Sequence, residues 1–313
     1  MLSALASWPK AGLPVSACVM VGSAITFKEY LTRYYLPTRP LADGSARQLA
    51  VAANLLTCPL VNLTERQLAE RLQQHARTHS PATTNSRRRA LLTLWRAAAD
   101  DGLTCPPRAR LIPKQPEPRR APVAWRSSEV SRLLLASEAA GGSPLDGVPR
   151  PVFWKALILT VYDTAGRIGA VLATETADCN LDEAWIVLRA ETQKDRTEQW
   201  LPLSGQTVES LRLLYDPRRA KLFPWPYTDV HLWRQFRGIV ESAGLTASRT
   251  RKDLFHKLRR TSLSYTARES VELACRKAGH CRPELTIRHY LDPRIVESDG
   301  GDSRRALAAL PRL

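Results

Sequence analysis

His256-Lys257-Leu258-Arg259-Arg260-Thr261, then Gly279-His280 and, ten residues further on, Tyr290 form the stretch that decides how this 313-residue chain is read. His256 and Arg259 lie about one helical turn apart, so a helix brings imidazole and guanidinium to one face. Pro283, in Cys281-Arg282-Pro283-Glu284, sits where a turn forms, and Leu291-Asp292-Pro293 ends the segment that carries Tyr290. Taken singly these features are ordinary. A histidine and an arginine three apart are usually surface neighbours, and a tyrosine near a C-terminus usually packs.

Moving outward, two more features join them. Thr164-Ala165-Gly166-Arg167-Ile168-Gly169 reads as a buried helix interrupted by a glycine before an arginine. Lys194 stands in a polar turn, Glu191 to Thr197, between two strand-like runs, Ala184 to Leu188 and Gln199 to Leu203. Together these runs read as a hairpin, with Pro202 placing its second strand at an edge. Around the hairpin the pattern is helical: a capped start at Trp125 to Val130, an apolar helix over Val152 to Val161, and helices again from Gln206.

The N-terminal part also reads as helices. Phe27 to Tyr35 and Ser45 to Leu56 show apolar residues at helical spacing. Thr64-Glu65-Arg66-Gln67 is a capping box, and Ser80-Pro81 supplies an N-cap followed by proline at the first helical position. The next helix opens on Arg87, Arg88 and Arg89, placed to contact phosphates, although a charge run alone is usually a solvated face. Residues 105–122 are rich in proline and basic residues, Arg119 and Arg120 among them, and are expected to be an extended linker. The expected order is an N-terminal extension (1–25), a helical domain (26–104), the linker (105–122), a second domain (123–293) and a tail (294–313), with Arg304 to Leu310 as a short amphipathic helix.

Composition narrows the class. Lys and Arg number 46 against 30 Asp and Glu, a formal +16, which points to a polyanionic partner. Residues 1–120 hold 17 basic and 7 acidic side chains, so the N-terminal part carries most of the excess. Hydrophobic residues make up 44% and charged ones 24%, an ordinary globular balance. No run approaches the roughly 20 apolar residues of a spanning helix, so no membrane partner is expected. The six cysteines form no CxxC pair and suit a reducing cytoplasm. The first 25 residues loosely resemble a signal peptide, but Lys10 is the only positive charge before the apolar stretch, and Met20 is preferred as the start.

The order arginine, hairpin lysine, His-x-x-Arg, Gly-His, tyrosine resembles the tyrosine recombinase (phage integrase) family over most of the chain, roughly Phe27 to Pro293. Ser80 to Leu92 resembles the last helix of that family's core-binding domain, and Ala121 to Val130 the start of its catalytic domain. The resemblance implies a mainly α fold with a small antiparallel β-sheet: a helical DNA core-binding domain and an α+β catalytic domain, closing on duplex DNA as a clamp. It implies a site-specific recombinase that cuts and rejoins DNA through a covalent 3′-phosphotyrosine, as a homo-oligomer with a tetrameric synapse, using no cofactor, ATP or metal. By the same resemblance Arg167 and Arg259 clamp the scissile phosphate, Lys194 is the general acid, His256 and His280 assist, and Tyr290 is the nucleophile. Arg87, Arg88, Arg89, Arg119 and Arg120 are the expected DNA contacts. The tail is expected to dock on a neighbouring subunit.

The chemistry is consistent with those roles. Attack on a phosphodiester adds negative charge, which planar guanidinium forks are shaped to hold. The 5′ oxygen leaves poorly as an alkoxide, so an ammonium that delivers a proton helps. Two departures stand out. Ala170 occupies the position, three after the first arginine, where the family usually has an acid, with Glu175 a possible substitute. The interval from His280 to Tyr290 is one residue longer than the commonest. Alternatives are an impaired DNA-binding protein on the same scaffold and a topoisomerase-like nicking-closing enzyme.

Overall fold

A computed structural model describes residues 25–118, 120–247, 254–279 and 282–296. The chain forms two compact units whose boundary falls between Arg119 and Arg120.

In the first unit, α1 (Phe27–Tyr30) starts at a capping box: Thr26 Oγ1 accepts from the Glu29 amide, and the Glu29 carboxylate accepts from the Thr26 amide. It continues as a π turn, Leu31–Tyr35. Then come α2 (Asp43–Ala53), α3 (Glu65–Ala76) and α4 (Pro81–Asp100). Both caps expected from the sequence are formed: Thr64 accepts from the Gln67 amide at 3.3 Å and Ser80 from the Thr83 amide at 3.2 Å. The apolar faces of the helices meet in one core built around Phe27, Tyr30, Leu49, Leu68, Leu91 and Trp95. Tyr30 donates to Asp101 at 2.6 Å, and burial together with that carboxylate pushes its phenol pKa up.

Residues 105–118, most of the expected extended linker, are tied by hydrogen bonds to α4. A proline-rich backbone cannot bond to itself, so its carbonyls need other donors, and α4 supplies them. Trp95 Nε1 donates to the Cys105 carbonyl at 2.9 Å, and Asn85 exchanges two hydrogen bonds with the Gln115 backbone. Arg88 Nε and Nη2 donate to the carbonyls of Ile112 and Ala109 at 2.6 and 2.8 Å. Arg108 pairs with Glu65, and the pairing lowers the Glu65 carboxyl to about 2. The run therefore belongs to the helical unit.

The second unit opens with α5 (Ser127–Glu138) and α6 (Arg150–Thr164). Apart from Lys155, α6 is apolar from Val152 to Leu159 and is buried at the centre, with Phe153, Trp154 and Leu157 fully enclosed. α7 (Ile168–Ala173) leads to a three-stranded antiparallel sheet of β1 (Cys179–Asn180), β2 (Trp185–Leu188) and β3 (Gln199–Pro202), paired in that order. Pro202 lies on the edge strand, as read from the sequence; β1 adds a strand that was not expected. α8 (Gly205–Arg212), α9 (Asp229–Ser242), α10 (Phe255–Glu269), α11 (Val271–Ala278), α12 (Pro283–Tyr290) and α13 (Pro293–Val296) complete the unit. Trp154 stacks on Phe236, and Phe236 on Phe255 at 4.0 Å, which fixes the start of α10 against the core.

The protein is thus mainly helical with a small antiparallel sheet. Among the described residues no helix is long and apolar enough to cross a membrane. Residues 1–24, Arg119, His280 and the tail from residue 297 lie outside the described residues, so the expected N-terminal extension and docking helix are not described.

Candidate active site

Arg167 owes its place to an abrupt helix end. Ala165 caps α6 in the left-handed region with φ of 47°. A Cβ on Gly166 would stand 2.7 Å from Val171 Cγ2 and 2.9 Å from Thr164 Oγ1, so the chain can turn this tightly only with glycine there. Arg167 then becomes the N-cap residue of α7. Lys194 sits in the turn between β2 and β3, where the Arg196 amide returns to the Gln193 carbonyl at 3.3 Å. Tyr290 is the last residue of α12; its carbonyl accepts from Ser264 Oγ at 3.2 Å, and the same hydroxyl accepts from the Asp292 amide at 2.9 Å. Asp292 is buried and accepts from the Ala124 amide at 2.8 Å. Burial alone would raise its carboxyl pKa, but Arg294 and that amide hold it below the usual range.

These segments meet. A cavity of about 440 Å³ is lined by Arg167, Lys194, Asp195, Arg282, His289 and Tyr290, with Gly279 and Leu285 completing its wall. Arg259 lies against it: its guanidinium carbon is 5.0 Å from the centre of the Tyr290 ring. Its side chain is almost fully buried, with Nη1 donating to the Ala165 carbonyl and Nη2 to that of Ala278 at 2.8 Å. Its Nε has no partner among the described residues. Burial lowers the Arg259 pKa below the arginine range; Tyr290 and Asp195 oppose the shift, and Arg167 adds to it. A buried guanidinium against the tyrosine, with Arg167 and Lys194 on the cavity wall, gives the place a cationic setting suited to an anion.

Four of the six expected catalytic side chains, Arg167, Lys194, Arg259 and Tyr290, are therefore together. His256 is half-buried on the first turn of α10, one turn before Arg259, and is not among the residues lining the cavity. His280 lies outside the described residues. The sequence reading missed Asp195, Arg282 and His289. The available signal for the last was its position in Arg288-His289, directly before the tyrosine.

His289 also borders a second groove of about 510 Å³ that carries Arg120, Lys257, Arg260 and Arg288. Cationic lining thus continues from the cavity along the surface of this unit, and Arg120, an expected DNA contact, is part of it. Of the other expected contacts, Arg89 is exposed, and Arg87 is half-buried with Nη1 3.4 Å from the Gln48 carbonyl. Arg88 departs from expectation: it is buried, and its donors are spent on residues 109–112.

Glu175 does not stand in for the missing acid at Ala170. It pairs with Arg189 at 2.8 Å and Lys221 at 3.4 Å, while Asp178 holds Arg189 from the other side at 2.7 Å. Ala170 itself is buried in the apolar core. A separate cavity of about 790 Å³ runs along β3 against α10 and α11; of the residues around the first cavity only Gly279 borders it.

No protein-family model matches the sequence. Tyrosine recombinase XerC of Neisseria meningitidis is 32% identical over 102 residues, which are 32% of this chain and 29% of XerC. The matched chain thus spans less than a third of the length of this curated relative. A lambda integrase dimer bound to a COC′ core site superposes with a TM-score of 0.65 at 16% identity, covering 83% of this chain and 97% of that one. The XerH site-specific recombinase on a palindromic difH substrate, in a post-cleavage complex, gives 0.61 at 18% identity over 85% of this chain and 79% of its own. At such identities the structural likeness shows the fold. The chain thus has the fold of these DNA-bound integrase and recombinase structures, and one segment of it is similar in sequence to tyrosine recombinase XerC.

Proposed function

We propose that this protein is a site-specific DNA recombinase that breaks and rejoins duplex DNA through Tyr290. The observation that carries the reading is the meeting of Arg167, Lys194 and Tyr290 around one cavity, with Arg259 against the tyrosine ring. These side chains come from four separate segments, and ordinary packing has no need to gather two guanidiniums, an ammonium and a phenol.

In the reaction the Tyr290 oxygen attacks a backbone phosphorus. The P–O bond to tyrosine forms as the P–O5′ bond breaks, leaving a 3′-phosphotyrosine and a free 5′ hydroxyl. Lys194 gives its proton to the departing 5′ oxygen. The phenol proton passes to a base, for which His256 and His280 are the assigned groups. Arg167 and Arg259 hold the non-bridging oxygens and offset the charge that grows on them. The covalent bond conserves the energy of the broken one, so rejoining needs no ATP, and the cations on the chain do the work for which other nucleases recruit metal.

Each site cuts one strand, so exchange between two duplexes calls for four protomers, and we assign a tetrameric synapse on DNA. The basic groove of Arg120, Lys257, Arg260 and Arg288, together with the exposed Arg89, is suited to backbone phosphates, and binding should weaken steeply with salt. With DNA as partner, its place is the cytoplasm.

The test is trapping on a pool of nicked duplexes with a randomised centre, in which the short cut fragment diffuses away and prevents rejoining. Wild type should form protein–DNA adducts with neither ATP nor divalent ions present, and Tyr290→Phe none. Binding without adduct in wild type would favour a DNA-binding protein, the reading to which Ala170 lends itself. Adducts without any sequence enrichment would favour a topoisomerase-like enzyme.

A further inference from the structure

Two glutamines join the parts of the site into one hydrogen-bonded line. Gln193, immediately before Lys194, is buried; its Oε1 accepts from Arg167 Nη1 at 3.4 Å, and its Nε2 donates to Gln199 Oε1 at 3.0 Å. Gln199, the first residue of β3, donates from Nε2 to the carbonyls of Arg276 and Lys277 at 3.2 and 3.4 Å. The direction of every link follows from its ends. A guanidinium only donates and a carbonyl only accepts, so both amides can point just one way. The last turn of α11 comes this close because residue 279 is glycine: at φ of +68° a Cβ would stand 3.1 Å from both Asp195 Oδ2 and Gln199 Nε2.

We propose that Gln193, supported by Gln199, is a positioning residue that sets the Arg167 guanidinium, the Lys194 turn and the end of α11 in mutual register around the phosphate. The inference rests on the recombinase reading above. Three observations favour it over plain packing. Gln193 makes all its side-chain bonds to this line and none to the apolar core. It is the hydrogen-bond partner of Arg167 among the described residues, and Ala170 leaves the helix after Arg167 with no acid to do that job. Its own backbone closes the turn that presents Lys194, with its amide donating to Ala190 and its carbonyl accepting from Arg196. Gln193 touches no reacting atom; it acts through Arg167 and Lys194.

The experiment measures single-turnover adduct formation on the nicked duplex most enriched by wild type, beside DNA affinity and thermal melting. Gln193→Ala should slow adduct formation about 10- to 100-fold, the worth of a hydrogen bond to a charged group, with affinity within about twofold. Gln193→Glu keeps an acceptor for Arg167 but gives up the donor to Gln199 Oε1, so it should recover only part of that loss and stay at least as impaired as Gln199→Ala, which should cost about 3- to 10-fold. A neutral methylphosphonate at the cut site, which asks less of Arg167, should shrink the Gln193→Ala deficit. Equal deficits on both substrates, additive losses in Gln193→Ala with Arg167→Ala, or loss of melting temperature in proportion to rate would overturn the proposal.

A reading without DNA keeps the two ideas separable. In protein carrying ¹⁵N-arginine, the Arg167 guanidinium signals, assigned by their disappearance in Arg167→Lys, should move in Gln193→Ala and stay near their wild-type position in Gln193→Glu. Signals that do not move sink the relay even if the enzyme cuts DNA. Signals that move while wild type traps no DNA sink the recombinase reading and leave the relay a structural link.

Discussion

Two buried arginines, Arg88 in the helical unit and Arg259 in the second, are used in opposite ways. Arg88, on α4 of the helical unit, lies at the edge of a proline-rich run and gives Nε and Nη2 to the carbonyls of Ile112 and Ala109. Arg259, on α10 of the second unit, gives its two Nη groups to the carbonyls of Ala165 and Ala278 but leaves Nε without a partner among the described residues, beside a cavity that holds a tyrosine. Burial lowers the pKa of both. One guanidinium is a strut. The other is a strut that also lies against the Tyr290 ring, beside the cavity that Arg167 and Lys194 line, and of the two only it is near the proposed phosphate site.

Substitutions can break that contrast, and the largest effect is expected at Arg259. Arg259→Lys keeps the charge but cannot reach two carbonyls and a phosphate at once, so adduct formation should fall about 10²- to 10³-fold while the chain stays folded by circular dichroism. A variant that cleaves like wild type would show that Arg259 is a strut too. Arg88→Ala should do the reverse. It strands the buried Ile112 carbonyl and the half-buried Ala109 carbonyl and should lower stability by about 1–3 kcal/mol in denaturant melts, with adduct formed per folded molecule nearly unchanged. The smallest effect belongs to Arg89, the exposed neighbour of Arg88. Arg89→Ala should leave stability within about 0.5 kcal/mol yet lower the slope of log affinity against log salt by about 0.9, one phosphate contact. An unchanged slope would mark it as a solvated face.

How far the molecule can be read from its sequence follows the same division. Elements whose cause is local were legible: the caps at Thr64 and Ser80, the largely apolar α6, and a hairpin whose Pro202 had to lie at an edge. β1 was not, because two residues carry no periodicity. Nor was the π turn at Leu31–Tyr35, which keeps its apolar face inward as an α-helix would. In the site, Arg167, Lys194, Arg259 and Tyr290 could be found because their spacing resembles a family pattern. Arg88 was misread since a buried arginine and a solvated one look alike in a charge run, and what buries it is a segment some 20 residues away. Gln193 was passed over as one polar residue of a turn; its role depends on Arg167 and Gln199, which only the folded chain brings within reach.

The central claim is that the phenol of Tyr290 becomes covalently joined to DNA. The most direct measurement is mass-spectrometric peptide mapping of the trapped adduct after nuclease digestion. The account predicts a nucleotide attached through its 3′ phosphate to Tyr290 in the peptide spanning α12. A nucleotide found on another residue, or attached through a 5′ phosphate, would contradict it.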